Sequence, residues 1–120
     1  GSPAMNFFDV TILKGSNIIR FMDGQSLSIS RSNDLEGEFF LGIRPEHFST
    51  NQQLDGLFFK IISVEQTGSE TLIQCELSGK NCNILLHSRL DISLQEKIKF
   101  TFERNSLKLF DKVNGSHIPF

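Results

Sequence analysis

Short runs in which apolar and polar residues alternate with a period of two recur along this sequence. No stretch carries a sustained helical stripe. Phe8, Val10 and Ile12 alternate with Asp9 and Thr11, and Leu27 and Ile29 with Ser26, Ser28 and Ser30. Ile98, Phe100 and Phe102 alternate with Lys97, Lys99, Thr101 and Glu103, and Ser106-Leu107-Lys108-Leu109 repeats the scheme. Successive side chains of a strand point to opposite faces, so each run predicts a half-buried strand with its polar residues outward. Thr71, Ile73, Cys75 and Leu77 share a face in the same way, which places Cys75 among core positions. Leu57 to Val64 is apolar on both faces, broken by Lys60 and Ser63, and predicts a long central strand that is bent or bulged. Phe39 to Ile43 is a similar dense run, stopped by Pro45.

Turn residues separate these runs at Lys14-Gly15-Ser16-Asn17, Asp23-Gly24, Glu36-Gly37, Thr67-Gly68-Ser69, Ser78-Gly79-Lys80-Asn81 and Asn114-Gly115. Asp-Gly between two β runs is a strong hairpin signal. Short strands with turns between them predict an all-β sandwich or barrel. Pro3 to Phe7 reads as one short turn, Leu90 to Gln95 fits neither pattern, and Ser49 to Gln53 is a polar loop. The length, 120 residues, suits a single domain over residues 1–120.

The aromatic content is 12 Phe with no Trp and no Tyr. Phe adds apolar area without a hydrogen-bonding tip, which favours packing over polar recognition. Lys plus Arg is 12 against 14 Asp plus Glu, a net charge of −2. So small a net charge gives no general pull toward phosphate backbones or anionic membrane. No apolar run approaches the ~20 residues that a membrane span needs, and the first residues show neither half of a secretion signal. Two cysteines are too few for a disulfide scaffold, so free thiols are expected, Cys75 in the core and Cys82 in a loop.

The familiar phosphate-loop, dinucleotide, zinc-protease and serine-hydrolase motifs are absent from the sequence. Cys75, Cys82, His47 and His87 are the residues from which a metal site would have to be built. The cysteines are seven apart, outside the two to four of a zinc knuckle, so no metal is expected. His47 beside Glu46 lacks a visible partner for acid–base work. The structural reading there is a turn in which Pro45 ends the strand while Arg44 and Glu46 pair with backbone or with each other. Lys97 to Arg104 is the best nucleic-acid candidate. Its Phe residues alternate opposite the lysines and point to the core, whereas stacking platforms must face the bound strand.

The segment Leu41-Gly42-Ile43-Arg44-Pro45-Glu46-His47-Phe48 closely resembles a Leu-Gly-Ile-Arg-Pro-Glu-His-Leu signature. That signature belongs to the C-terminal regulatory domain, of TOBE type, in the ATP-hydrolysing subunits of bacterial carbohydrate and glycerol-phosphate ABC importers. Further matches fall in the same order along nearly the whole chain. Gly1 to Phe8 resembles Gly-Ser-Pro-x-Met-Asn-Phe, the exit from the nucleotide-binding domain. Val64 to Thr71 resembles Val-Glu-x-Leu-Gly-x-Glu-Thr. Leu107 to Asp111 with Asn114-Gly115 resembles His-Leu-Phe-Asp-x-x-Thr-Gly. Thr67, Lys108 and Asn114 depart from the usual Leu, His and Thr.

The resemblance implies an all-β, OB-like barrel of short antiparallel strands in two small sheets, with residues 1–7 leading out of a nucleotide-binding domain. It implies a non-catalytic role and no cofactor in this chain, ATP and Mg belonging to that other domain. The implied partners are a second copy of the ATPase subunit, the importer's membrane subunits through the other domain, and a phosphotransferase-type regulator; nucleic acid is not among them. The implied place is cytoplasmic, peripheral to the inner membrane. Gly42, Arg44, Pro45 and Glu46 match the signature, and Glu65, Gly68, Glu70 and Thr71 match the second motif. These are the candidate partner and dimer contacts, and each also has a structural reading: Gly68 supplies a turn, while Glu70 and Thr71 start a strand. Two other readings stay open, an oxyanion-binding module built on Ser78-Gly79-Lys80-Asn81 and an OB-type nucleic-acid binder.

Overall fold

The computed structural model describes residues 4–29 and 34–119. Among them are eleven strands: β1 (Asn6–Ile12), β2 (Ile18–Phe21), β3 (Ser26–Ser28), β4 (Gly37–Ile43), β5 (Phe48–Ser49), β6 (Gly56–Thr67), β7 (Glu70–Leu77), β8 (Lys80–Leu86), β9 (Lys97–Phe102), β10 (Lys108–Asp111) and β11 (His117–Ile118). Short 3-10 turns occupy Pro45–His47 and Arg104–Ser106. One sheet has the order β11-β10-β4-β1-β2-β3 and the other β5-β9-β6-β7-β8. The paired strands are antiparallel throughout. The expected all-β architecture of two small sheets is the one observed. Gly1 to Pro3 and Ser30 lie outside the described residues.

Alternation decides which side chains meet between the sheets. Phe8, Val10 and Ile12 of β1, Leu41 and Ile43 of β4, Leu57, Phe59 and Ile61 of β6, and Ile73, Cys75 and Leu77 of β7 are all buried in one core. Several phenylalanines meet within it. Phe48 and Phe59 meet edge to face at 5.4 Å and 90°, Phe48 and Phe102 at 6.0 Å and 79°. Such pairs add about 0.5–1.5 kcal/mol beyond area burial, and Phe leaves no polar tip to satisfy there.

The long run in β6 is central and bulged, as its pattern predicts. Its partners step from Ile61↔Cys75 to Ser63↔Gln74, so β6 carries one extra residue, Ile62, at that point. The extra residue exchanges the two faces. Leu57, Phe59 and Ile61 point inward before it, and Val64 packs against the core after it. Apolar residues are therefore needed at odd positions first and even positions afterward, which reads in sequence as a run apolar on both faces.

Three expectations are corrected. Asn6 and Phe7 are strand residues of β1 and form no separate turn. Thr101 is buried although it alternates with the core Phe residues, because the Ser49–Gln53 loop folds over its face. Its hydroxyl lies 3.1 Å from the Ser49 carbonyl and 2.8 Å from that of Asn51. Cys82 is a buried residue of β8. The turn ahead of it is only Ser78-Gly79, so the strand resumes at Lys80 and brings Cys82 opposite Cys75.

Two side-chain amides fasten one sheet to the other. The Asn6 amide donates to the Ile43 carbonyl at 3.1 Å and the Asn83 carbonyl at 2.8 Å, and its oxygen accepts from the Asn83 N–H at 2.8 Å. It thus pairs with the backbone of edge strand β8 as a further strand would. Gln25 does the same to β6, accepting from the Phe58 N–H at 2.7 Å and donating to its carbonyl at 3.0 Å. Both amides occupy ladder positions at which β8 and β6 have no strand partner, and so satisfy backbone groups that the ladder leaves open.

Candidate interaction site

The signature residues straddle the end of β4. Gly42 is buried between Phe7 of β1 and Lys108 of β10. A Cβ added to it would stand 2.6 Å from Met5 Sδ and 3.0 Å from Phe110 Cε2, so close packing of side chains, not backbone conformation, favours glycine here. Over it lies a small apolar surface. The Phe7 and Phe110 rings meet edge to face at 5.5 Å, Phe110 continues to His117 at 5.6 Å, and Phe7 stays 41% exposed. The Lys80 and Lys112 ammonium groups stand 5.9 and 5.4 Å from the Phe40 ring on the same strand, β4.

Arg44 and Glu46 behave differently from the expected pair. Arg44 is exposed in extended conformation, with its carbonyl accepting from the His47 N–H at 3.0 Å. Glu46 is half-buried. Neither makes an ion pair with the other or with another described residue. Of the two expected pairings, with backbone or with each other, the mutual one is not made, because Arg44 lies in the extended segment ahead of the 3-10 turn and Glu46 lies within it. Pro45 is buried and opens the turn, which packs on β8.

The second motif sits on the β6–β7 hairpin. Gly68, at φ +59°, makes the two-residue turn between the partners Thr67 and Glu70. Glu65 is exposed on β6 opposite Leu72. The Glu70 carboxylate lies 2.9 Å from His87 Nδ1. Thr71 is buried and donates its hydroxyl to the Ser88 carbonyl at 2.6 Å. Arg89 Nη1 donates to the Gly68 carbonyl at 3.0 Å. These contacts fix residues 87–89 as they leave β8.

The two motifs converge there. A shallow cleft of about 200 Å³ is bounded by Phe48, Ser49 and Thr50 on one side and by Leu85, Leu86, His87 and Ser88 on the other. The first motif runs directly into one wall, and Glu70 and Thr71 hold the other. Gly42 does not join this cleft, since its packing faces Met5, Phe7 and Phe110. Sequence reading missed Asn6 and Gln25, whose roles depend on backbone groups 77 and 33 residues away. It also missed Met5 and Phe110 as the surface over Gly42.

The remaining candidates separate in space. His47 and His87 are exposed while Cys75 and Cys82 are buried. Among the described residues no cluster of three or more His, Cys, Asp or Glu could hold a metal ion. Ser78 and Gly79 both have positive φ, 51° and 76°, as in a type I′ hairpin turn. The Ser78 hydroxyl accepts from the Asp23 N–H at 3.1 Å, which puts a carboxylate-bearing residue against that turn. An oxyanion gains nothing from such a neighbour. Phe100 and Phe102 are buried and offer no stacking surface. Phe58, opposite Lys99, is 52% exposed on the outer face. Among the described residues no helix is long and apolar enough to cross a membrane.

Two curled antiparallel sheets around one aromatic core define an OB-type domain, and comparison with known proteins agrees. A model of the MalK OB fold domain matches residues 1–48. The chain is 33% identical over 98% of its length to the ABC transporter ATP-binding protein y4oS of Sinorhizobium fredii, covering 32% of that protein. It is 31% identical over 98% of its length to the sulfoquinovosyl glycerol transport ATP-binding protein SmoE of Agrobacterium fabrum, covering 34%. It is 29% identical over 98% of its length to the sn-glycerol-3-phosphate import ATP-binding protein UgpC of Ruegeria pomeroyi, covering 33%. The chain spans about a third of the length of these relatives. It is thus homologous to the OB-type domain of ABC importer ATP-binding subunits, as its sequence motifs indicated.

Proposed function

We propose that this chain is a non-catalytic regulatory and dimerisation domain of the ATP-binding subunit of an importer for sugars or glycerol phosphate. The observation that supports the reading is the match of 98% of the chain to a third of an ABC transporter ATP-binding protein and of two others named for sulfoquinovosyl glycerol transport and sn-glycerol-3-phosphate import. ATP and Mg belong, on this reading, to a separate nucleotide-binding domain. The partners are a second subunit, the importer's membrane subunits and a regulator, and the protein works at the cytoplasmic face of the membrane.

The role needs no bond-making chemistry. A contact between two such domains that does not depend on ATP keeps one nucleotide domain at high effective concentration near its mate. A regulator that binds one conformation better shifts the opening equilibrium by its differential affinity. The cleft between Phe48–Thr50 and Leu85–Ser88, with exposed Arg44 and the Glu70–His87 pair nearby in the chain, supplies charge for regulator contact. The apolar surface of Phe7 and Phe110 over Gly42 suits contact with a second copy.

The test uses a whole ATP-binding subunit carrying this chain. Sedimentation equilibrium without ATP should show weaker subunit association when the chain is deleted; equal association would overturn the dimerisation role. Glu46→Lys should leave the circular dichroism of the 120-residue chain unchanged. In the transporter it should change the response of ATP hydrolysis to regulator. An unchanged response would remove the signature turn from the regulatory role.

A further inference from the structure

Cys75 of β7 and Cys82 of β8 are direct register partners. Both side chains enter the core, at 1% and 2% exposure, and their sulfur atoms lie 3.1 Å apart. The two-residue turn at Ser78-Gly79 fixes that register, and a slip of β8 by one residue would send Cys82 to the outer face, away from Cys75. Nothing in the proposed role uses either residue.

We propose that Cys75 and Cys82 form a paired oxidation site, closed to an intramolecular disulfide by a small peroxide and reopened by a dithiol. One thiol, as thiolate, attacks a peroxide oxygen; the O–O bond breaks, a sulfenic acid forms and water leaves once the released oxygen takes up a proton. The second sulfur then attacks the sulfenic sulfur, and its hydroxyl leaves as a second water with the remaining thiol proton. Two thiols lose two electrons and the peroxide gains them, so hydrogen peroxide ends as two waters.

The position favours reversibility. Residues flanking a two-residue hairpin turn exchange backbone hydrogen bonds, and every second pair outward does the same. Leu77↔Lys80 flanks the turn, so Cys75↔Cys82 is the next such pair. Cα atoms there stand about 5.5 Å apart, inside the range of about 4.4–6.8 Å that a disulfide accepts. The Cβ atoms must still draw together, and bridges closed under strain are the more easily reduced. The hydrogen bond with Cys82 and burial push the Cys75 thiol up from its ordinary value. Closure is therefore slow at neutral pH and quickens as pH rises. The bridge fastens β8, against which the 3-10 turn of the signature packs and whose Leu85 and Leu86 line the cleft.

The folded chain is treated with hydrogen peroxide, cleared of peroxide, unfolded in the presence of an alkylating reagent and digested with trypsin without reductant. Cleavage after Lys60, Lys80 and Arg89 puts the two cysteines on separate peptides, 61–80 and 81–89. The expected product is those two peptides joined, from monomeric protein on a non-reducing gel, with both alkylatable thiols returning after dithiol treatment. Alkylated thiols on both peptides would overturn the proposal. So would sulfinic or sulfonic acid on separate peptides, or joined peptides found only in a covalent dimer. Circular dichroism before quenching confirms that the chain closed while folded.

Discussion

Asn6→Ala isolates the bond that ties the two sheets at β8. The substitution removes three hydrogen bonds, two donated to the Ile43 and Asn83 carbonyls and one accepted from the Asn83 N–H. Each is worth about 1 kcal/mol net, and a partner left unsatisfied in a buried place costs more. Asn6 is buried, so no water replaces the amide at Ile43 without opening the joint. The loss should be about 3 kcal/mol, a large fraction of the ~5–15 kcal/mol typical of a domain. Urea unfolding measured by circular dichroism should show it. With a slope of about 1.5 kcal/mol per M, the midpoint should fall by about 2 M at unchanged slope. Asn6→Asp sharpens the test. It keeps the acceptor for the Asn83 N–H but turns oxygen lone pairs toward two carbonyls, so at neutral pH it should cost more than alanine. In acid the carboxyl gains a proton that it can donate, and part of the loss should return. A midpoint shift under about 0.3 M for alanine, or aspartate tolerated as well as asparagine, would refute the clamp.

Gly42→Ala should cost about 1 kcal/mol, because the Met5 thioether it meets can swing away, and Gly42→Val about 2–3 kcal/mol, because Phe7 and Phe110 must also move; calorimetric melting temperatures would rank them. Phe100→Asp buries an unpaired carboxyl in the core and should unfold the chain, a loss above about 4 kcal/mol visible as lost β dichroism. Burial pushes the Asp23 carboxyl up, but hydrogen bonds from the Gln25 side chain and backbone and from Ser78 outweigh it and hold it below its ordinary 3.8. The stabilisation is present above the unfolded value and is lost as pH falls through the lower folded value. The advantage of wild type over Asp23→Asn in thermal melts should therefore shrink between about pH 5 and pH 2.

The strands were legible because burial on one face imposes a period of two that survives without knowledge of the partner. β1 and β7 follow it residue by residue, and the irregular run in β6 announced its own bulge. Family resemblance was legible too, since the signature and the Val64–Thr71 motif are contiguous in the chain. The candidate cleft was not, because its walls are Phe48–Thr50 and Leu85–Ser88, brought together only when β8 packs on the 3-10 turn. Thr101 was misread for the same reason: alternation says which face a residue is on, and a loop from elsewhere decides whether that face is wet.

By itself the sequence determined the strand faces, the turns and the phenylalanine core, all of which depend on near neighbours in the chain. Only the tertiary structure decided that Asn6 and Gln25 act as strand substitutes, that Gly42 is a packing glycine, and that Cys75 faces Cys82. Each depends on backbone groups, side chains or register brought together by folding. A hydrogen bond or a close contact is a property of distance in space, which a linear pattern does not encode.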